Sequence, residues 1–260
     1  MRISQRTIRR LLWLLEVVFL AAAGSGPSAA EELPPFRVGE RLTYEVRLLG
    51  ARAGQMTSVV QEKVSLGEIE AYHIVVNIRT TEAFSEIYRV NDEIHLYLNV
   101  RTLEPIRTDR FLEEGWWSGR IRVDFDQEGR KAYYASWDKE GKFIGGKTLS
   151  LPAPTLDVAS VAYFVRGKDL AGLGSFKLNI LYETDPRTVE VGVTPDQNVS
   201  LEGLGAFKTY MLRSLSYGNI ALWISNDERR LPVMMITDGI RVSQDRFLPL
   251  EASLVKVESP

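Results

Sequence analysis

Apolar and polar residues alternate with a period of two along most of this chain. Leu42, Tyr44, Val46 and Leu48 are separated by Thr43, Glu45 and Arg47, and the rhythm returns in Tyr72 to Arg79, Ile87 to Leu98, Ile121 to Phe125 and Tyr133 to Trp137. Successive strand side chains point to opposite faces, so this period predicts strands with one buried face. Ala51 to Gly54 reads as a break between the first strand and a second, from Gln55 to Val64. Farther on, Ile220, Leu222 and Ile224 alternate with Ala221, Trp223 and Ser225, and the polar run Asn226 to Arg230 predicts a turn. Pro232 lacks an N–H, which places it at an edge or at the start of the returning strand. Asp238-Gly239 then predicts a second tight turn, because a type I′ hairpin needs positive φ at both central residues.

The rhythm changes once. After Pro152-Ala153-Pro154-Thr155, the residues Leu156, Val158, Ala159, Ala162, Tyr163 and Arg166 recur at helical spacing. Thr155 is the candidate N-cap, Asp157 and Arg166 suit the two ends of the helix dipole, and Gly167 is the stop. The predicted fold is therefore mainly β: an antiparallel curved sheet, arranged as an open barrel or a sandwich, with one short central helix. Residues 31–260 read as one β-rich domain or as two halves joined by 152–174.

The first thirty residues stand apart. Arg2, Arg6, Arg9 and Arg10 form a basic lead, Leu11 to Ala23 an apolar run, and Ser28-Ala29-Ala30 a small-residue cleavage site. This predicts a signal peptide over residues 1–30 and a periplasmic location. An uncleaved anchor is the alternative, but the apolar run falls short of the ~20 residues that a span needs. The sequence contains no Cys, which excludes thiolate catalysis and disulfides. A net charge of -2 argues against nucleic-acid binding and leaves, at most, peripheral association with a membrane.

Three stretches carry a family resemblance. Val38-Gly39-Glu40-Arg41-Leu42-Thr43-Tyr44-Glu45-Val46, with the later Ala53-Gly54, resembles the opening of the bacterial domain-of-unknown-function 3108 family. Leu156-Asp157-Val158-Ala159-Ser160-Val161-Ala162-Tyr163-Phe164-Val165-Arg166 resembles its central helix, and Trp223 to Val233 its late hairpin. The resemblance implies an exported β-rich protein of a Gram-negative envelope, with a curved sheet like those of periplasmic carriers that shelter an acyl chain. It also implies structural roles for Gly39, Glu40, Tyr44, Asp157, Tyr163, Arg166, Trp223, Asp227, Arg230 and Pro232.

Candidate chemistry is sparse. His73 and His95 each sit in a strand with no second His nearby, so a structural or surface role is expected, without metal or cofactor. No nucleophile elbow, P-loop or dinucleotide fingerprint occurs. Trp116-Trp117 lies between glycines, so one indole is expected inside and the other outside. Three functions fit. The favoured one is a non-enzymatic envelope protein that binds a lipid-like ligand or an envelope partner, with Trp116, Trp117, Val161 and Phe164 as contacts. The others are a structural β module of an envelope assembly, and an envelope hydrolase using carboxylates such as Asp109, Glu113, Asp124 or Asp227.

Overall fold

The computed structural model describes residues 34–216, 218–241 and 247–260; the predicted signal segment, 1–30, lies outside them. Among the described residues, fifteen strands form one curved, unclosed sheet. They are β1 (Arg41–Leu48), β2 (Ala51–Leu66), β3 (Ile69–Thr80), β4 (Asn91–Asn99), β5 (Pro105–Glu114), β6 (Trp117–Asp126), β7 (Lys131–Asp138), β8 (Phe143–Ser150), β9 (Thr155–Asp157), β10 (Ser175–Tyr182), β11 (Asp185–Leu201), β12 (Gly205–Ser214), β13 (Ala221–Ser225), β14 (Pro232–Arg241) and β15 (Phe247–Glu258). Helix α1 (Glu82–Ser85) lies between β3 and β4, and α2 (Val161–Arg166) follows β9.

The strand order is β8-β7-β6-β5-β4-β3-β2-β1-β15-β14-β13-β12-β11-β10-β9. The chain starts in the middle of the sheet, steps outward to one edge, crosses the interior to the other edge, and steps back until β15 pairs with β1. Segment 152–174 is therefore the crossing between the two edges, and no sandwich forms. Every pairing among the described strands is antiparallel except β9 with β10. Gln127, just after β6, donates to Thr155 O and accepts from Thr155 N, so the β9 edge is held to the opposite half without joining its ladder.

Inward positions of β1 to β4 and β15, including Leu42, Tyr44, Ile74, Ile94, Leu96 and Leu254, build one apolar cluster. Leu156, Leu178, Val191, Leu212, Leu222 and Ile224 build a second in the other half, and Leu112, Ile121, Val123, Ala132 and Leu181 a third where the two edges approach.

Four local expectations are corrected. Ala51 to Gly54 does not break the sheet; the turn is at Leu49–Gly50, both with positive φ, and β2 starts at Ala51. Gly54 marks close packing, since a Cβ there would lie 2.5 Å from Arg79 O. Residues 87–90 lie outside β4, behind the short α1 that the alternation did not reveal. Asp238-Gly239 is not a turn: β14 runs through it, and the β14–β15 register shifts between Thr237 and Ile240, a bulge that accommodates the pair. Finally, the helix is shorter than predicted. Thr155 to Asp157 pair as a strand, Val158–Ser160 form a 3-10 turn, and Asp157, not Thr155, caps it by accepting from Ala159 N at 2.9 Å.

Candidate functional site

The segment 157–166 lies within the concave side of the sheet and is fastened at both ends by buried ion pairs. At its start, Arg110 of β5 donates to Asp157 at 2.8 Å. At its end, Arg166 donates to Glu40 through Nη1 at 2.6 Å and Nη2 at 2.9 Å, a two-point match of guanidinium to carboxylate. Nη2 also donates to Pro35 O and Arg229 O, each at 3.0 Å, and the cation lies 5.1 Å from the Phe36 ring and 5.6 Å from that of Tyr163. The Arg166 side chain has no solvent exposure. Gly39, at φ +93°, makes the turn that delivers Glu40 inward to meet it.

Between these ends, Tyr163 reaches Ser58 of β2 with a 2.7 Å hydroxyl–hydroxyl hydrogen bond, and burial pushes its phenol up to about 12. Tyr44 donates to Pro232 O at 2.9 Å; burial, then the neighbouring Tyr163, raise its pKa well above the ordinary value. On its other side the segment is apolar: Val158, Val161 and Val165 pack into the second cluster. The segment thus joins polar anchors from one half of the sheet to the apolar interior of the other.

Packing against the sheet leaves a mostly apolar cavity of about 60 Å³, bounded by Leu42, Met56, Ile78 and Ile94 on the sheet and by Val158, Ala159, Ala162 and Tyr163 on the crossing segment. A larger, polar cleft of about 680 Å³ opens at the end of α2, among Pro35, Leu103, Phe164, Lys168, Asp169 and Arg230. Lys168 stands over the Phe164 and Phe176 rings at 5.8 and 5.9 Å, and burial lowers its pKa.

The residues singled out in the sequence fall into separate groups. Glu40, Tyr44, Tyr163, Arg166 and Pro232 meet directly. Arg230 joins them at the margin by donating to Lys168 O at 2.7 Å. Asp227 orders the β13–β14 turn, with Ser225 Oγ at 2.6 Å and Arg229 Nη2 at 2.9 Å. Trp223 faces away from Leu222 and Ile224 and is half-buried between its register partners Met211 and Met234. Val161 is fully buried and Phe164 partly so. Trp116 is 67% exposed in the β5–β6 turn, and Trp117 packs on the third cluster. Neither tryptophan lines the cavity or the cleft.

The four carboxylates do not converge. Asp109 is held by Arg120 and Arg122, Asp124 by Arg107, Glu113 by Arg89 and Asn91, and Asp227 by Arg229. Burial works to raise Asp109, but the hydrogen bonds from Arg122 and Arg120 outweigh it and hold the carboxyl below its usual range. Asp227 is lowered in the same way by Ser225 and Arg229 against the effect of burial. Groups held ionised by arginines are suited to pairing rather than to proton transfer.

Two features escaped the sequence. Asp92 is buried on β4, accepts from Glu113 N at 2.9 Å, and is raised by burial to about 7. His73 and His95, expected to stand alone, bond to each other at 2.9 Å. Their encounter depends on the β3–β4 register across α1, which the alternation could not supply. Among the described residues no group of three or more His, Asp or Glu is placed to hold a metal ion.

A single open sheet wrapped around its own crossing segment defines a barrel-like class of β protein. The sequence matches the family described as "Protein of unknown function (DUF3108)" over residues 43–240, and the chain belongs to that family. No curated protein matches it. Among solved structures, the chain is similar to the crystal structure of a "Beta-barrel-like Protein of Domain of Unknown Function DUF1849 from Brucella abortus". The TM-score is 0.53 at 13% identity, over 89% of this chain and 99% of the other, which is a likeness of fold. A duf1089 family protein from Pseudomonas aeruginosa aligns at a TM-score of 0.37 and 11% identity, over 88% of this chain and all of the other.

Proposed function

We propose that this is a non-enzymatic, periplasmic protein of the cell envelope that shelters an apolar or amphiphilic chain in the concave side of its sheet. The observation that carries the reading is the apolar cavity between the sheet and the crossing segment. Val158, Ala159, Ala162 and Tyr163 line it from the segment, and the two alanines leave room beside the sheet where a ligand would lie. A cavity of about 60 Å³ holds only a few methylene groups, against the ~300 Å³ or more of a typical ligand pocket. A longer chain therefore enters by pushing outward the stretch between the two anchored ends, Val158 to Val165, and its polar head then faces the cleft beside Phe164 and Lys168. The basic, apolar and small-residue succession at the N-terminus supports export.

Native mass spectrometry of protein purified from a periplasmic fraction tests this reading, with bound lipid as the expected result. The folded protein should also bind ANS and release it to a long-chain fatty acid. Phe164→Glu should weaken probe binding more than it lowers the melting temperature. Protein that carries no lipid and binds no probe refutes the proposal.

A second reading has its own observation. Phe143 (58% exposed) and Ile144 (54%) open the edge strand β8 at the same end of the sheet as Trp116. An envelope partner docking there would be lost with Trp116→Ser and Phe143→Ser, without effect on lipid content.

A further inference from the structure

His73 on β3 and His95 on β4 lie on the face opposite the core residues Ile74 and Leu96. His73 Nε2 and His95 Nδ1 are 2.9 Å apart. The ring planes differ by 16° and the centroids are 5.1 Å apart, which is the nitrogen–nitrogen distance plus one ring radius at each end. The rings therefore meet edge to edge, nearly coplanar, with the two nitrogens directed along a common line. Each outer nitrogen faces a carboxylate: His95 Nε2 is 2.9 Å from Glu93 Oε1, and His73 Nδ1 is 3.5 Å from Glu62 Oε1. The row Glu62, His73, His95, Glu93 thus crosses β2, β3 and β4 and contains three gaps, each of which needs one hydrogen.

Two neutral imidazoles carry two N–H groups, and a carboxylate accepts but does not donate. Two hydrogens cannot serve three gaps. If both face the carboxylates, two lone pairs oppose each other at 2.9 Å. If one sits between the rings, a lone pair opposes a carboxylate. A third proton fills the row and gives the pair one positive charge between two glutamates. A fourth sets N–H against N–H in the central gap.

We infer that these four residues form a proton-binding site that holds one shared proton between the two histidines. The pair binds its third proton more tightly, and its fourth more weakly, than an isolated imidazole; the two steps belong to the pair rather than to either ring. The other groups around it fit this role. Tyr97 stacks on His73 at 4.7 Å and Phe111 meets His95 edge-on at 5.7 Å, shielding the rings. Asp109 lies opposite His95 in register, but Arg120 and Arg122 neutralise it, and Arg107 is tied to Asp124. Burial, opposed by the Glu62 hydrogen bond and reinforced by the charge of His95, lowers the His73 pKa, as the weak fourth proton requires. The tie across the strands is therefore complete only between the two steps. It is lost as pH rises through the upper one, because the folded state there binds a proton that the unfolded chain does not, and lost again as pH falls through the lower one.

Long-range proton–nitrogen NMR of ¹⁵N-labelled protein, from about pH 4 to pH 9, reads the imidazole protons directly. Two steps are expected, the upper at least about tenfold tighter and the lower about tenfold weaker than free imidazole. In His73→Gln and in His95→Gln the remaining ring should titrate in one step lying between them, and Glu93→Gln should lower the upper step. Two independent titrations near the free value, unchanged by replacing the other ring, overturn the assignment. Stoichiometric copper or zinc on the purified protein, whose removal by chelator shifts both rings, also overturns it, since a metal rather than a proton then fills the central gap.

Discussion

Arg166→Met is the perturbation that probes most of the interior at once. It removes both hydrogen bonds to Glu40 and both to the carbonyls of Pro35 and Arg229. Glu40 is 5% exposed, so its carboxylate is left charged without water or a cation. Breaking a buried pair from one side costs about 3–5 kcal/mol, and two unmet carbonyls add about 1 kcal/mol each. A total of about 5–7 kcal/mol follows, a large part of the ~5–15 kcal/mol that holds an ordinary domain together. Urea unfolding followed by tryptophan fluorescence measures it. The companion Glu40→Leu/Arg166→Met removes both charges and should recover at least about 2 kcal/mol relative to the sum of the single variants. Arg166→Lys keeps the charge but not the planar fork, and should fall between wild type and Arg166→Met. Single variants that each cost under about 1 kcal/mol and add without coupling would refute the anchoring role.

Asp92→Asn keeps the acceptor for Glu113 N and removes the buried charge. Because Asp92 is raised to about 7, the folded state binds this proton better than the unfolded chain does. Wild type should therefore lose stability from this group as pH rises from about 4 to 7, by on the order of 3 kcal/mol, and Asp92→Asn should flatten that slope in denaturation series at several pH values. Trp223→Ala should cost about 2–3 kcal/mol, below the 3–5 kcal/mol of a fully enclosed indole, because the side chain is only half-buried; an unchanged melting temperature would contradict its packing between Met211 and Met234. Asp227→Ala should cost about 1 kcal/mol rather than nothing, since the buried Ser225 donates its Oγ–H to it while accepting from the buried Leu231 N at the base of the turn. Equal urea midpoints for Asp227→Ala and wild type would refute this.

The strands were legible because one face of each is buried, so alternation at Leu42, Tyr44 and Val46 or at Ile121, Val123 and Phe125 maps directly onto the core. Two of the misreadings share a cause: glycine permits several backbone states, and only the neighbours decide among them. Gly54 looked like a break and is a close approach; Gly239 looked like a turn and lies at a bulge. The anchors of the crossing segment were visible as residue types but not as partners. Glu40 and Arg166, or Arg110 and Asp157, are joined by a strand order that no local period encodes. Asp92 and the histidine pair were hidden for the same reason.

The meeting of β1 with β15 has a consequence for how the chain reaches this state. Every other antiparallel neighbour in the sheet is also a neighbour in sequence, so those ladders can zip from local hairpins. The β1–β15 ladder, in which Leu42 pairs with Val257, joins the two arrays and must close the longest loop in the described chain. Until β15 is available, β1 and β14 each present an open edge to any other extended chain. Loss of the last dozen residues would therefore leave two complementary sticky borders, and copies of the protein would exchange strands through them.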